Sequence, residues 1–185
     1  MTSERPPEAV CEEETIQMTT RHALVPTVLG DLTVVATGDA IAGLYFPGHW
    51  YLPPIGSIGE RVDADPVIDE AARQLRDYLA GRRKDFDLEV TTSGDALQES
   101  VWAMLRDIPF GETTTYGALA ERLGNRSLAQ AVGQAVGHNP VSIIIPCHRV
   151  VGATGRLTGF AGGLERKRML LELEEPELAK AGRLF

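Results

Sequence analysis

The apolar residues of this chain change period partway along it. From Ala23 onward they fall in short β-rich runs, Leu32 to Ala36 and Ile41 to Phe46, punctuated by Gly30-Asp31 and Gly38-Asp39, dipeptides suited to tight turns between antiparallel strands. Residues 47 to 62 are rich in Gly and Pro and read as a loop. Behind Pro66 the period becomes helical, with Val67, Ile68, Ala71, Leu75, Tyr78 and Leu79 on one face and a stop at Gly81. A polar stretch, Thr91 to Asp95, precedes a second helical face made by Leu97, Val101, Trp102, Leu105 and Ile108, so a domain boundary is expected near residue 92. Next come a helix over Thr113 to Leu123, a stop at Gly124, and Ser127 as N-cap of a helix over Leu128 to Val136, a pairing that reads as a helix-turn-helix. The β-branched run Ile143 to Ile145 reads as a strand ending at Pro146, and a last helix runs from Leu164 to about Glu174 before Pro176. No segment repeats. The expected fold is α+β: a small N-terminal antiparallel β-sheet domain with a helix over residues 21 to 91, followed by a mostly helical C-terminal domain with a helix-turn-helix over 92 to 176. Residues 1 to 20 and 177 to 185 are expected to be tails, the first of them disordered on account of its Glu run and lack of an apolar period.

Composition bounds the partners. The longest apolar run is too short to span a bilayer, and the acidic N-terminus lacks a signal peptide's basic start and apolar stretch, so a cytoplasmic protein without a membrane partner is expected. The net charge of -8 speaks against a polyanionic partner, but the charge is unevenly spread. Residues 1 to 95 hold 8 basic and 17 acidic side chains, whereas residues 111 to 170 hold 7 basic and 3 acidic ones, which allows a nucleic acid to bind that segment. Two cysteines, Cys11 and Cys147, make no disulfide framework. Without a C-x-x-C pair or paired histidine spacing, no metal site is expected.

Cys147 stands directly before His148 and Arg149. A free thiol is only a few per cent ionised at neutral pH, so a nucleophilic cysteine needs a base or cation at hand, and these neighbours could supply both. From the residues alone, a core cysteine beside a surface His and Arg is an equal reading. The last helix could supply a carboxylate to orient the histidine, since Glu172, Glu174 and Glu175 sit where they oppose the helix dipole, although a solvated polar face explains them too. Gly137-His138-Asn139-Pro140 reads as a helix end and turn, and Tyr116 as either a core aromatic or a phenol donor.

The residues from Gly94-Asp95-Ala96-Leu97-Gln98 through Val101-Trp102, Ile108-Pro109-Phe110-Gly111, Thr115-Tyr116, Ala131-Val132-Gly133, Gly137-His138-Asn139-Pro140 and Ile145-Pro146-Cys147-His148-Arg149-Val150 to Leu157-Thr158-Gly159-Phe160-Ala161-Gly162-Gly163-Leu164 resemble the methylated-DNA–protein-cysteine methyltransferases, the O6-alkylguanine-DNA alkyltransferases. The resemblance covers about half the chain, residues 92 to 174, and extends more weakly to the N-terminal part as a ribonuclease H-like domain. It implies repair of double-stranded DNA by single-use transfer of an alkyl group from a flipped O6-alkylguanine, with O4-alkylthymine as a further substrate, to Cys147, without cofactor or obligate protein partner. It further implies His148 as base through a water, Glu174 as its orienter, Asn139 as brace of the cysteine turn, and Tyr116 as hydrogen-bond partner of the base. Val150, Phe160 and Ala161 would line the base site, and Ala129, Gln130, Gly133, Arg122, Arg126, Ser127 and Arg149 would meet DNA. Two positions depart from the family's pattern: Leu97 replaces a common Phe, and Gln130 stands where an arginine usually enters the stack, losing its charge and planar fork. The rival readings are a lesion-binding protein that does not repair, a Cys-His hydrolase and a regulator. Retention of Cys147 counts against the first, and the third would need further DNA-binding and zinc-bearing segments.

Overall fold

A computed structural model describes residues 19–175; the expected tails, Cys11 and Pro176 lie outside the described residues apart from Thr19 and Thr20. The first strand, β1 (Thr20–Thr27), begins inside the expected tail and pairs antiparallel with β2 (Gly30–Thr37), which pairs antiparallel with β3 (Ala40–Tyr45). The meander forms as expected, but of the two turn dipeptides only Gly38-Asp39 is a turn: Val28-Leu29 links β1 to β2, and Gly30-Asp31 opens β2. The sheet is not purely antiparallel, however, because a short β4 (Glu60–Arg61) inside the expected loop adds itself parallel to β1, giving the order β3-β2-β1-β4. Gly59 makes that approach possible. Its φ is 74°, and a Cβ there would come within 1.8 Å of the Thr20 carbonyl oxygen.

Asp65 caps α1 (Pro66–Leu79), accepting from the amides of Val67 and Ile68 at 3.0 and 3.1 Å, and its other oxygen pairs with Arg21 of β1. The buried stripe Ile68, Ala71, Ala72, Leu75 and Tyr78 lays the helix on the sheet. A capping box of Asp95 and Gln98 starts α2 (Ala96–Arg106), whose Trp102 indole donates to the Ala135 carbonyl at 2.8 Å.

The helix-turn-helix differs from expectation in detail. Residues Thr114–Thr115 form a strand, β5, and Thr115 then caps α3 (Tyr116–Arg122) by accepting from the Ala118 amide. Ser127 is not the cap of the second helix. Leu128 holds that position without a side-chain cap, and Asn125 instead caps the preceding 3-10 turn, Arg126–Leu128, accepting from the Ser127 amide and hydroxyl before the turn runs into α4 (Ala129–Gly137). Ile143 to Ile145 is likewise a turn and not a strand: Ile143 has φ 71°, a left-handed conformation costly for a β-branched residue. The short strand β6 (Val150–Val151) pairs parallel with β5, and α5 (Leu164–Glu174) closes the described chain.

The expected boundary near residue 92 separates no core. Buried side chains from Val25 to Leu170 form one continuous apolar cluster. The outer edge of β3 is covered by the other half of the chain: Leu44 donates to the Pro140 carbonyl at 2.8 Å and accepts from the Ser142 amide at 3.2 Å. The turn that leads to Cys147 is thereby docked on the sheet.

Candidate active site

Cys147 begins a 3-10 turn, Cys147–Arg149, held just after Pro146 and 5% exposed. Asn139, directly after α4, braces the approach: its amide nitrogen donates to the Ile145 carbonyl at 2.8 Å and its oxygen accepts from the Val141 amide at 3.1 Å. Both contacts fall within the strained turn at Ile143, so Asn139 helps hold a backbone that the sequence would not adopt unaided. The Asn139 and Ser142 side chains also favour the ionised form of the thiol.

His148 is fully buried. Its Nε2 donates to Oε1 of Glu174 at 2.8 Å, while Nδ1 is buried without a hydrogen-bond partner among the described residues. Glu174 is the last residue of α5, and it collects donors from three directions. Oε1 also accepts from Arg149 Nη2 at 3.0 Å and from the Tyr78 hydroxyl; Oε2 accepts from Arg149 Nε at 2.9 Å and the Gly111 amide at 3.0 Å. Burial alone would raise this carboxyl's pKa, but the bonds from His148 and Arg149 outweigh it and hold the value at about 2. Glu172, by contrast, is exposed.

Burial pushes the Cys147 thiol up, opposed by Asn139 and by the charge of Lys167, and burial lowers His148 despite Glu174. At neutral pH the resting pair is therefore thiol and neutral imidazole, not thiolate and imidazolium. To act as a nucleophile the sulfur would first have to lose its proton.

Cys147 opens onto a cleft of about 250 Å³ that runs along α4, lined also by Tyr116, Gln130, Gly133, Phe160 and Ala161 and, from the N-terminal half, by Trp50 and Tyr51. The Tyr116 hydroxyl donates to the Thr158 carbonyl at 3.2 Å, and burial raises its pKa, so it stays a donor. Arg122, Arg126, Ser127 and Gln130 are exposed and Ala129 half-buried on the helix-turn-helix, where a duplex could reach them.

Two expected site residues are placed otherwise. Arg149 does not face solvent: it is buried, spends its fork on Glu174 and the Ile108 carbonyl, and stacks over Phe110 at 5.9 Å, so a phosphate contact is closed to it. Val150 is fully buried and absent from the cleft lining, with its amide held by the Cys147 carbonyl and its own carbonyl held by Lys167 at 2.6 Å. The expected basic segment shrinks accordingly. Lys167, fully buried on α5, donates to the carbonyls of Val150, Thr158 and Gly159, and Arg166 to those of Leu29, Pro47 and Gly162, while Arg122 and Arg126 pair with Asp107 and Glu121.

The sequence reading missed Tyr78 and Lys167. Tyr78 sits at an apolar position of α1, and nothing in its periodicity separates a core ring from one whose hydroxyl reaches Glu174 96 residues away. Lys167 lies between Arg166 and Arg168 and reads as surface charge; the one signal was its position four residues after the Gly162-Gly163 pair, on the face that Leu170 buries.

Comparison with known proteins covers almost all the described residues. Residues 96–176 match the profile described as 6-O-methylguanine DNA methyltransferase, DNA binding domain, and residues 20–92 match the ribonuclease-like domain of the same family. The protein named methylated-DNA–protein-cysteine methyltransferase of Mycobacterium tuberculosis H37Rv is 42% identical over 162 residues, which are 83% of this chain and 92% of its own. Its namesake from Mycolicibacterium paratuberculosis is 52% identical over 153 residues, 83% of this chain and 91% of its own. Among solved structures, that of Mycobacterium tuberculosis OGT in complex with DNA superposes with a TM-score of 0.77 at 41% identity, covering 83% of this chain and 92% of that one.

Proposed function

Because this chain belongs to the methylated-DNA–protein-cysteine methyltransferase family, we propose that it repairs O6-alkylguanine in double-stranded DNA in the cytoplasm by moving the alkyl group irreversibly to Cys147. The observation that carries this reading is the arrangement beside the thiol: a buried histidine whose Nε2 is committed to an ionised Glu174 and whose Nδ1 remains open. With Nε2 as the donor, Nδ1 holds the lone pair, which makes His148 a base on the side that Glu174 does not occupy.

In the proposed reaction the Cys147 proton passes to His148 Nδ1 through a water. The sulfur attacks the alkyl carbon, the S–C bond forms as the C–O6 bond breaks, and the bond's electron pair stays with the guanine. The base recovers a proton through Tyr116, the tyrosine takes one back from solvent and the imidazolium releases one to solvent, so the net proton moves from thiol to guanine. Glu174 stabilises the imidazolium, and the Lys167 charge favours the developing thiolate. Asn139 and the N-H near Ala161 hold the turn and the O6 atom respectively. The thioether has no leaving group that water could displace at useful rate, and one chain therefore acts once.

The α3–α4 pair would carry the duplex, with the residues from Arg122 to Gly133 toward it. Residues 20–92 and 96–176 are then the two family domains, packed here through one core. The test is intact-mass measurement after incubation with a duplex containing O6-methylguanine. We expect a gain of one methylene per chain, mapped to Cys147, lost in Cys147→Ser while duplex binding persists. Multiple turnovers, or methylation that survives in Cys147→Ser, would refute the reading.

A further inference from the structure

The segment after β3 does more than connect the sheet to α1. It straps the two walls of the Cys147 cleft together. On one wall, the Trp50 amide donates to the Ala161 carbonyl at 3.2 Å, and Phe46 packs edge-on to Phe160 at 5.4 Å between ring centroids. That contact depends on Gly162, where a Cβ would lie 2.3 Å from the Phe46 ring. On the other wall, the Tyr51 ring stacks on His138 at 3.7 Å and 29°, lying over Gly137 at the end of α4.

Both aromatic residues of the strap remain exposed at the cleft. Trp50 is 66% exposed and Tyr51 44%, although both line the same cleft as Cys147. Large apolar side chains exposed at the rim of a concave site mark a surface that a ligand covers. A methyl group carried to the sulfur has no need of them. The cleft, at about 250 Å³, is at the small end for a ligand site, so a flipped base with a bulky O6 substituent must lay that substituent against a wall. O6 is directed at the Ala161 backbone in the function proposed above, and Trp50 is bonded to that residue's carbonyl.

We infer that Trp50 and Tyr51, from the N-terminal half of the chain, form an accessory subsite for the O6 substituent, one that takes flat apolar groups such as benzyl. This rests on the alkyl-transfer reading. The two rings act as specificity-determining residues: they contact the part of the substrate that differs between lesions and leave the transfer of a methyl group to the Cys147, His148 and Glu174 machinery.

The test measures Cys147 alkylation by intact mass with two free bases, O6-methylguanine and O6-benzylguanine, in the wild type, Trp50→Ala, Tyr51→Ala and Tyr51→Phe. Free bases remove any contribution from DNA contact or flipping. Loss of one aromatic contact lowers the benzyl rate by about two- to tenfold, with the methyl rate within about twofold and Tyr51→Phe like wild type. Thermal unfolding of each variant reports whether the strap still closes. Equal losses for both bases would overturn the subsite and leave the strap a structural tie. A faster benzyl reaction would overturn it in favour of a lid that excludes bulk, and an effect seen with duplex substrate alone would assign the rings to DNA. If the wild type accepts no alkyl group from a methylated duplex or from either base, the underlying reading fails instead, and the two failures are thereby told apart.

Discussion

Replacing Glu174 by glutamine keeps the volume of the side chain and removes its charge. Five donors converge on the carboxylate: His148 Nε2, the Tyr78 hydroxyl and Arg149 Nη2 on Oε1, and Arg149 Nε and the Gly111 amide on Oε2. An amide can accept on one side only. With its NH2 toward the Oε2 position it confronts two donors, and flipped it confronts three; in both cases the buried Arg149 loses its counter-charge. Breaking a buried pair by removing one partner costs about 3–5 kcal/mol, a large share of the roughly 5–15 kcal/mol that holds a domain together. Urea unfolding should show that loss. Glu172→Gln, at an exposed site on the same helix, should stay within about 0.5 kcal/mol of wild type, and Glu175→Gln should cost less than Glu174→Gln. The chemistry should respond as well. Glu174 raises the basicity of His148 against the effect of burial, so Glu174→Gln leaves a weaker base, slows transfer, and raises the apparent pKa of Cys147. The pH profile of thiol alkylation, taken where circular dichroism shows each variant folded, reads this directly. Equal and small effects of all three substitutions on stability and on the profile would refute the reasoning and leave these glutamates as a solvated helix end.

Asn139→Ala strips the Ile145 carbonyl and the Val141 amide of their buried partner at about 1–3 kcal/mol each, and a drop below about 0.5 kcal/mol in calorimetry would mean that the turn at Ile143 needs no brace. Gln130→Arg should tighten duplex binding, steepen its salt dependence by about one phosphate contact, and speed duplex repair more than reaction with free O6-benzylguanine; an unchanged ratio of the two rates would remove Gln130 from the stack. On acidification, Glu174, held at about 2 against an ordinary 4.5, contributes stability that is present above about 4.5 and lost as pH falls through 2. The loss is on the order of 3 kcal/mol, and Glu174→Gln should flatten that limb of a stability-against-pH curve.

Local chemistry was legible in the sequence wherever a residue acts on its own neighbours. Pro66 and Gly81 bound α1, Gly124 ends the first helix of the helix-turn-helix, and the turn dipeptide Gly38-Asp39 sits between β2 and β3, because each expresses a backbone preference that needs no partner. The Cys147-His148-Arg149 segment left a reactive thiol and a core cysteine as equal readings, and only the family resemblance favoured the first. The duties within it were another matter. Arg149 read as a cation for DNA, yet its guanidinium is buried against Glu174, and Lys167 read as surface charge, yet its ammonium gathers three carbonyls inside the protein. Charge in a sequence has a sign but no address, and burial reverses its use. The strand β4, the left-handed turn at Ile143, the Tyr78 hydroxyl on Glu174 and the strap of Trp50 and Tyr51 across the cleft also escaped the pattern of apolar positions. Each joins residues distant in sequence, through backbone pairing, a brace such as Asn139, or ring stacking, and such contacts exist only once the two halves of the chain share one core.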